Sequence, residues 1–105
     1  MAKYLYVYHG GGSMPQSQAE IDKSMQAWGA WFGGLGAAVV DGGNPVGKST
    51  TVTNGSVVSN GGANPASGYS IVEAASLDDA IAKAKGCPIH AHGGSVEIAE
   101  ILPMM

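Results

Sequence analysis

The chain has 105 residues and a formal charge of −3, and all 5 of its basic residues are lysine. That length suits one domain spanning residues 1–105, while the lack of arginine and of any basic run excludes a nucleic-acid surface and the bidentate fork used to grip phosphate. A lone cysteine forms no internal disulfide, the longest apolar run (27–40) is too short for a bilayer and is interrupted by glycines, and Met-Ala-Lys-Tyr opens a strand rather than a leader peptide, so the expectation is a soluble, cytoplasmic protein.

Lys3 to His9 alternates strictly, with Tyr4, Tyr6 and Tyr8 on one side and Leu5, Val7 and His9 on the other. That is strand periodicity. Three tyrosines in a row are unusual on a sheet face left in water, so this face is expected to meet another surface. A glycine-rich loop, His9 to Pro15, comes next. Ser17 with Glu20 three residues on reads as a capping box. Ile21, Met25, Trp28, Phe32 and Leu35 then recur at helical spacing, and Trp31 widens the stripe. Gly33, Gly34 and Gly36 are expected to end this helix.

Ala37 to Asp41 is a short apolar strand, broken by Gly42-Gly43-Asn44-Pro45. Ser49–Thr53 and Ser56–Ser59 are β-branched runs joined by Asn54-Gly55, the pairing that best signals a hairpin. Asn60 to Ser67 is a loop and Tyr69 to Ala74 a strand. Ser76 and Asp79 cap a second helix that turns Leu77, Ala80, Ile81 and Ala84 inward. Gly86-Cys87-Pro88 stops it. His90 to Gly94 is a loop, and Ser95 to Leu102 the last strand.

The expected fold is α+β: a ferredoxin-like βαββαβ unit with an extra β-hairpin, its antiparallel sheet carrying two helices on one face. The other face, assigned the tyrosine row, is left for a partner. Four stretches make the chain resemble the YCII-related family, including its DGPF-like branch: the opening KYLYVYHG, then AWGAWFGGLGAAVVDGG, GYSIVEAASLDDAIAKAKGCP and the closing SVEIAEILP. The resemblance implies a homodimer whose sheets pack face to face as a dimeric α/β barrel, with Tyr4, Tyr6 and Tyr8 in or near the interface. The chain also departs from the family. SNGGANPAS stands where the DGPF signature is expected. Met25 and Cys87 occupy the positions of the histidine and aspartate proposed as an acid/base pair in some members, and neither replaces that chemistry.

Gly42 to Ser49 formally matches the phosphate-loop pattern G-x-x-x-x-G-K-[ST]. The pattern needs a helix after the lysine, and hairpin residues follow instead, so it reads as a loop. The histidines are more informative. The first strand ends where the last begins, which brings His9 towards the 87–94 loop with His90 and His92. Asp41 is expected at the same edge. The site reading is a small-molecule pocket between sheet and helices. Its acid/base candidates are His9, His90 and His92, and its substrate-binding candidates are Asp41, Tyr69 and Cys87. No cofactor is implied. The alternatives are a non-catalytic ligand-binding or structural dimer, and metal binding by the His/Cys edge. Glu73, Glu97 and Glu100 read as sheet-edge carboxylates.

Overall fold

The computed structural model describes residues 2–10, 17–60, 62 and 65–102. Most of the loop expected after His9, the positions 61, 63 and 64 of the loop before the third main strand, and Pro103 lie outside the described residues, as does the side chain of His92. The elements run β1 (Ala2–His9), α1 (Gln18–Leu35), β2 (Val39–Asp41), β3 (Thr51–Thr53), β4 (Ser56–Val58), β5 (Ala66–Ala74), α2 (Leu77–Ala84) and β6 (Ser95–Glu100). The four-stranded sheet has the order β2-β5-β1-β6, and every neighbouring pair is antiparallel. β3 and β4 form a separate two-stranded sheet. The chain is thus α+β, with an antiparallel sheet and two helices, an arrangement compatible with a ferredoxin-like fold.

Local chemistry sets the element ends. The Ser17 hydroxyl accepts from the Glu20 N–H and the Ser76 hydroxyl from the Asp79 N–H, so each helix starts on a side-chain cap. Asp79 also accepts from the Ala75 N–H and pairs with Lys83 one turn on at 2.8 Å. α1 runs through Gly33 and Gly34 and stops at Gly36, whose φ of 58° suits a residue without Cβ. Its backbone then makes a short 3₁₀ turn, Gly36–Ala38, where a strand was expected to begin. Asn54 (φ 48°) and Gly55 (φ 84°) both take the left-handed conformation that a two-residue hairpin turn requires. At Gly43 a Cβ would sit 1.7 Å from the Tyr69 carbonyl oxygen, so only glycine fits where the chain leaves β2 and crosses β5.

The tyrosine row does not face outward. Tyr4, Tyr6 and Tyr8 are buried in the same cluster as Val72, Ala74, Ala80, Ala84, Cys87 and Ile89. Tyr6 donates to the Ala80 carbonyl of α2, and Tyr8 donates at 2.7 Å to Ser70, which donates in turn to the Gly42 carbonyl. Tyr8 meets Trp28 edge to face at 5.1 Å and Tyr6 stacks on Trp31 at 6.3 Å, pairs worth about 0.5–1.5 kcal/mol each beyond their buried area. Both helices therefore cover the tyrosine face, and the assignment of that face to a partner is corrected. All three rings lie in the core, and the Tyr6 and Tyr8 hydroxyls find buried acceptors, so the row is core and not interface.

The face left open carries Leu5, Val7, Tyr69, Ile71 and Glu73, paired across β1 and β5 as Lys3↔Glu73, Leu5↔Ile71 and Val7↔Tyr69. All but Lys3 are half-buried. α1 buries no residue fully, and Met25 in its first half is 68% exposed. The helical stripe is real, but its Ile21–Met25 end overhangs the sheet while Trp28, Trp31 and Leu35 pack on the core. α2 similarly buries Ala80 and Ala84 and leaves Leu77 and Ile81 exposed. Trp31 closes the gap between helices by donating at 3.0 Å to the Lys83 carbonyl.

Candidate functional site

His9 ends β1 at a bulge, opposite Ser95 on β6 and Ala66 on β5. Its Nδ1 lies 3.2 Å from the Pro65 carbonyl oxygen and its Nε2 2.9 Å from Glu97 Oε1. Glu97 is the register partner of Val7, so the ring lies on the open sheet face. The His9 side chain is only 9% exposed, whereas the Glu97 side chain is 66% exposed. Both neighbours are acceptors. A carbonyl only accepts, and an ionised carboxylate only accepts, so both bonds form together when both ring nitrogens carry protons. Which ring nitrogen carries the proton depends on the tautomer, and each has an acceptor within hydrogen-bond distance.

Cys87 lies on the other side of the sheet. It is 3% exposed within the tyrosine cluster. Burial pushes its thiol up to about 11, with the Ile89 backbone N–H offsetting part of the rise. At neutral pH it stays a thiol, and both nucleophilic attack and metal ligation need the thiolate. Cys87 also begins the 3₁₀ turn Pro88–His92, which replaces the expected loop and holds both remaining histidines.

His90, exposed on that turn, donates from Nε2 at 3.0 Å to the Ala84 carbonyl. That carbonyl also accepts from the Cys87 N–H at 3.0 Å, so the ring occupies its second lone pair at the end of α2. Among the described residues its Nδ1 meets no hydrogen-bond partner. A neutral ring that donates from Nε2 carries its lone pair on Nδ1.

Asp41 accepts from the Gly43 N–H at 2.8 Å, a local turn that starts the break after β2. It pairs with Ile71, whereas His9 pairs with Ala66, so the two lie about 17 Å apart along β5, on strands that are not neighbours. The expectation that Asp41 shares the His9 edge is corrected: it is a turn residue exposed elsewhere. Tyr69 does share the open face with His9, opposite Val7. The six candidates thus separate into His9 and Tyr69 on the open face, Cys87 and His90 at the end of α2, and Asp41 on the far edge strand. The backbone of His92 follows His90 in the same turn. Among the described residues no group of three or more His, Cys, Asp or Glu side chains comes close enough to hold a metal ion.

Two features went unsingled in the sequence. Glu97 reads there as one of three similar carboxylates, and only the β1–β6 register selects it as the partner of His9. A cavity of about 230 Å³ lies at the root of the hairpin, and its walls include Lys48, Ser49, Ser59, Asn60 and Pro65. None of the six predicted residues lines it. The phosphate-loop match contributes Gly47, Lys48 and Ser49 to these walls, but Thr51 enters β3, so no helix N-terminus follows the lysine.

No family model matches the chain, and no curated protein matches it.

Proposed function

We propose that the chain is a YCII-related, ferredoxin-like βαββαβ unit, with β3 and β4 as an inserted hairpin, that works as a homodimeric binding module and not as a His9 enzyme. The observation that carries this reading is the open sheet face. Leu5, Val7, Tyr69 and Ile71 lie there half-buried, while both helices occupy the opposite side. Two copies closing through this face would form the α/β barrel that the sequence resemblance implies, using the odd-numbered residues of β1 in place of the tyrosines. The shape supports it: the radius of gyration is 15.0 Å and the shortest dimension 18 Å. A compact domain of this length has a radius near 13 Å. The engaged nitrogens of His9 and the buried thiol of Cys87 favour binding over chemistry. A lone thiol held protonated also supports residence in a reducing compartment such as the cytoplasm.

Sedimentation equilibrium at micromolar concentration tests this reading. The expected mass is that of two chains for the wild type and for Val52→Lys on the hairpin, and that of one chain for Val7→Lys. A wild-type monomer would sink the proposal.

One observation favours a second reading, an acid/base role at His90. Its Nε2 donates to Ala84 and so leaves Nδ1 able to take a proton. Long-range ¹H–¹⁵N correlation should then show His90 as the Nε2-protonated tautomer at neutral pH. An Nδ1-protonated ring would end this reading.

A further inference from the structure

We propose that Asn54 is a self-modification site: its side chain condenses with the backbone nitrogen of Gly55, and the isoaspartate that results dismantles the β3–β4 hairpin. The site lies off the open sheet face and does not depend on how the chain pairs.

The chain holds four asparagines, Asn44, Asn54, Asn60 and Asn64, and the structure separates them. Condensation needs a backbone N–H on the following residue and a side-chain amide free to reach it. Asn44 and Asn64 precede Pro45 and Pro65, whose nitrogens carry no hydrogen. Asn60 precedes a glycine, but its Oδ1 accepts from the Gly62 N–H at 2.9 Å, which anchors the amide beyond its own neighbour. Asn54 meets both needs. Among the described residues its side chain makes no hydrogen bond, and the Gly55 N–H makes none. Both residues are exposed, and Gly55 has no Cβ to shield its nitrogen. Ring closure also requires rotation of the Asn54 backbone out of the turn, which a rigid ribbon resists. This ribbon has three register pairs, Thr51↔Val58, Val52↔Val57 and Thr53↔Ser56, and all six residues are exposed. A two-stranded ribbon alone is marginal in water.

The chemistry balances with water as the only co-reactant. The Gly55 nitrogen gives its proton to solvent base and attacks Asn54 Cγ. The new N–Cγ bond closes a five-membered imide, the Cγ–Nδ2 bond breaks, and the amide leaves as ammonia. Water then opens the ring. Breaking the N–Cγ bond leaves aspartate. Breaking the bond from the Gly55 nitrogen to the main-chain carbonyl carbon leaves isoaspartate, whose main chain runs through Cβ and Cγ. Either product adds one negative charge to the formal −3. Isoaspartate also adds one atom to the main chain, inside a turn whose two residues, at φ 48° and 84°, set the register. A two-residue turn lengthened in this way no longer holds Thr53 opposite Ser56.

The test ages the full chain at mildly alkaline pH. Peptide mapping with fragmentation that separates isoaspartate from aspartate follows the chemistry, and NMR follows the hairpin. Conversion is expected several-fold faster at Asn54 than at Asn60, with isoaspartate among the products. In that fraction the Val52–Val57 cross-strand contact should be lost while the shifts of β1 and β5 hold. Asn54→Gly suits the left-handed turn and removes the amide, so it should abolish conversion at position 54 and keep the contact throughout ageing. The proposal is overturned if Asn54 converts no faster than Asn60, if aspartate is the sole product, or if the isoaspartate form retains the Val52–Val57 contact.

Discussion

Tyr6 shows how one side chain joins sheet to helix. It is fully buried, stacks on Trp31 and donates its hydroxyl to the Ala80 carbonyl. Burial first, then the nearby Asp79 and Cys87, together push its hydroxyl up to about 12 from the usual 10.0. The folded state therefore holds the neutral phenol more tightly than the unfolded chain does. Its contribution is complete below pH 10 and is lost as pH rises from about 10 towards 12. Tyr6→Phe is expected to cost about 1 kcal/mol at pH 7 by urea unfolding, the value of one buried hydrogen bond. The same variant should lose less stability than wild type between pH 9 and pH 11, to within about 1 kcal/mol. A remainder is expected from Cys87 and from Tyr8, whose hydroxyl is raised in the same direction by burial. An equal alkaline loss in both proteins would contradict the account.

Among the elements, the β3–β4 hairpin stands apart. All six of its strand residues are exposed, and Val52 and Val57 are each 69% exposed. A two-stranded ribbon alone is marginal in water. Its amides are expected to exchange with solvent far faster than those of β1 and β5, which form the centre of the sheet. Native-state hydrogen exchange reads this directly, and equal protection of both regions would show a cover for the hairpin. The hairpin and both helix caps were legible in the sequence because each follows a local rule. Asn54-Gly55 supplies two left-handed residues, and Ser17 and Ser76 supply hydroxyls at fixed offsets. The covered face of β1 was not legible. Alternation separates Tyr4, Tyr6 and Tyr8 from Leu5, Val7 and His9 but does not say which set the helices meet. That choice depends on distant acceptors, at Ser70 and Ala80, for two tyrosine hydroxyls. The site was less legible still. His9 is a visible candidate, yet its partners Pro65 and Glu97 lie 56 and 88 positions away, and their identity follows from strand register alone.

At the scale of the whole molecule, β1 is the axis. It lies between β5 and β6, and the register on each side runs nearly its full length. Its nearest sequence neighbours, α1 and β2, give it no strand partner. That arrangement has a consequence for synthesis. β1 is translated well before its first pairing strand, β5, which begins at Ala66. At roughly 5–20 residues per second, the tyrosine strand waits on the order of 3–12 s as a nascent chain before any ladder can form. The ladders with β5 and then β6 both join residues far apart in sequence, from His9↔Ala66 to Tyr4↔Glu100, which slows folding relative to a helical domain of equal size. A central strand of the finished sheet is therefore the one that spends longest unpaired during its making. An apolar, alternating segment with no charge between Tyr4 and Tyr8 is the kind of client that a ribosome-bound chaperone shields.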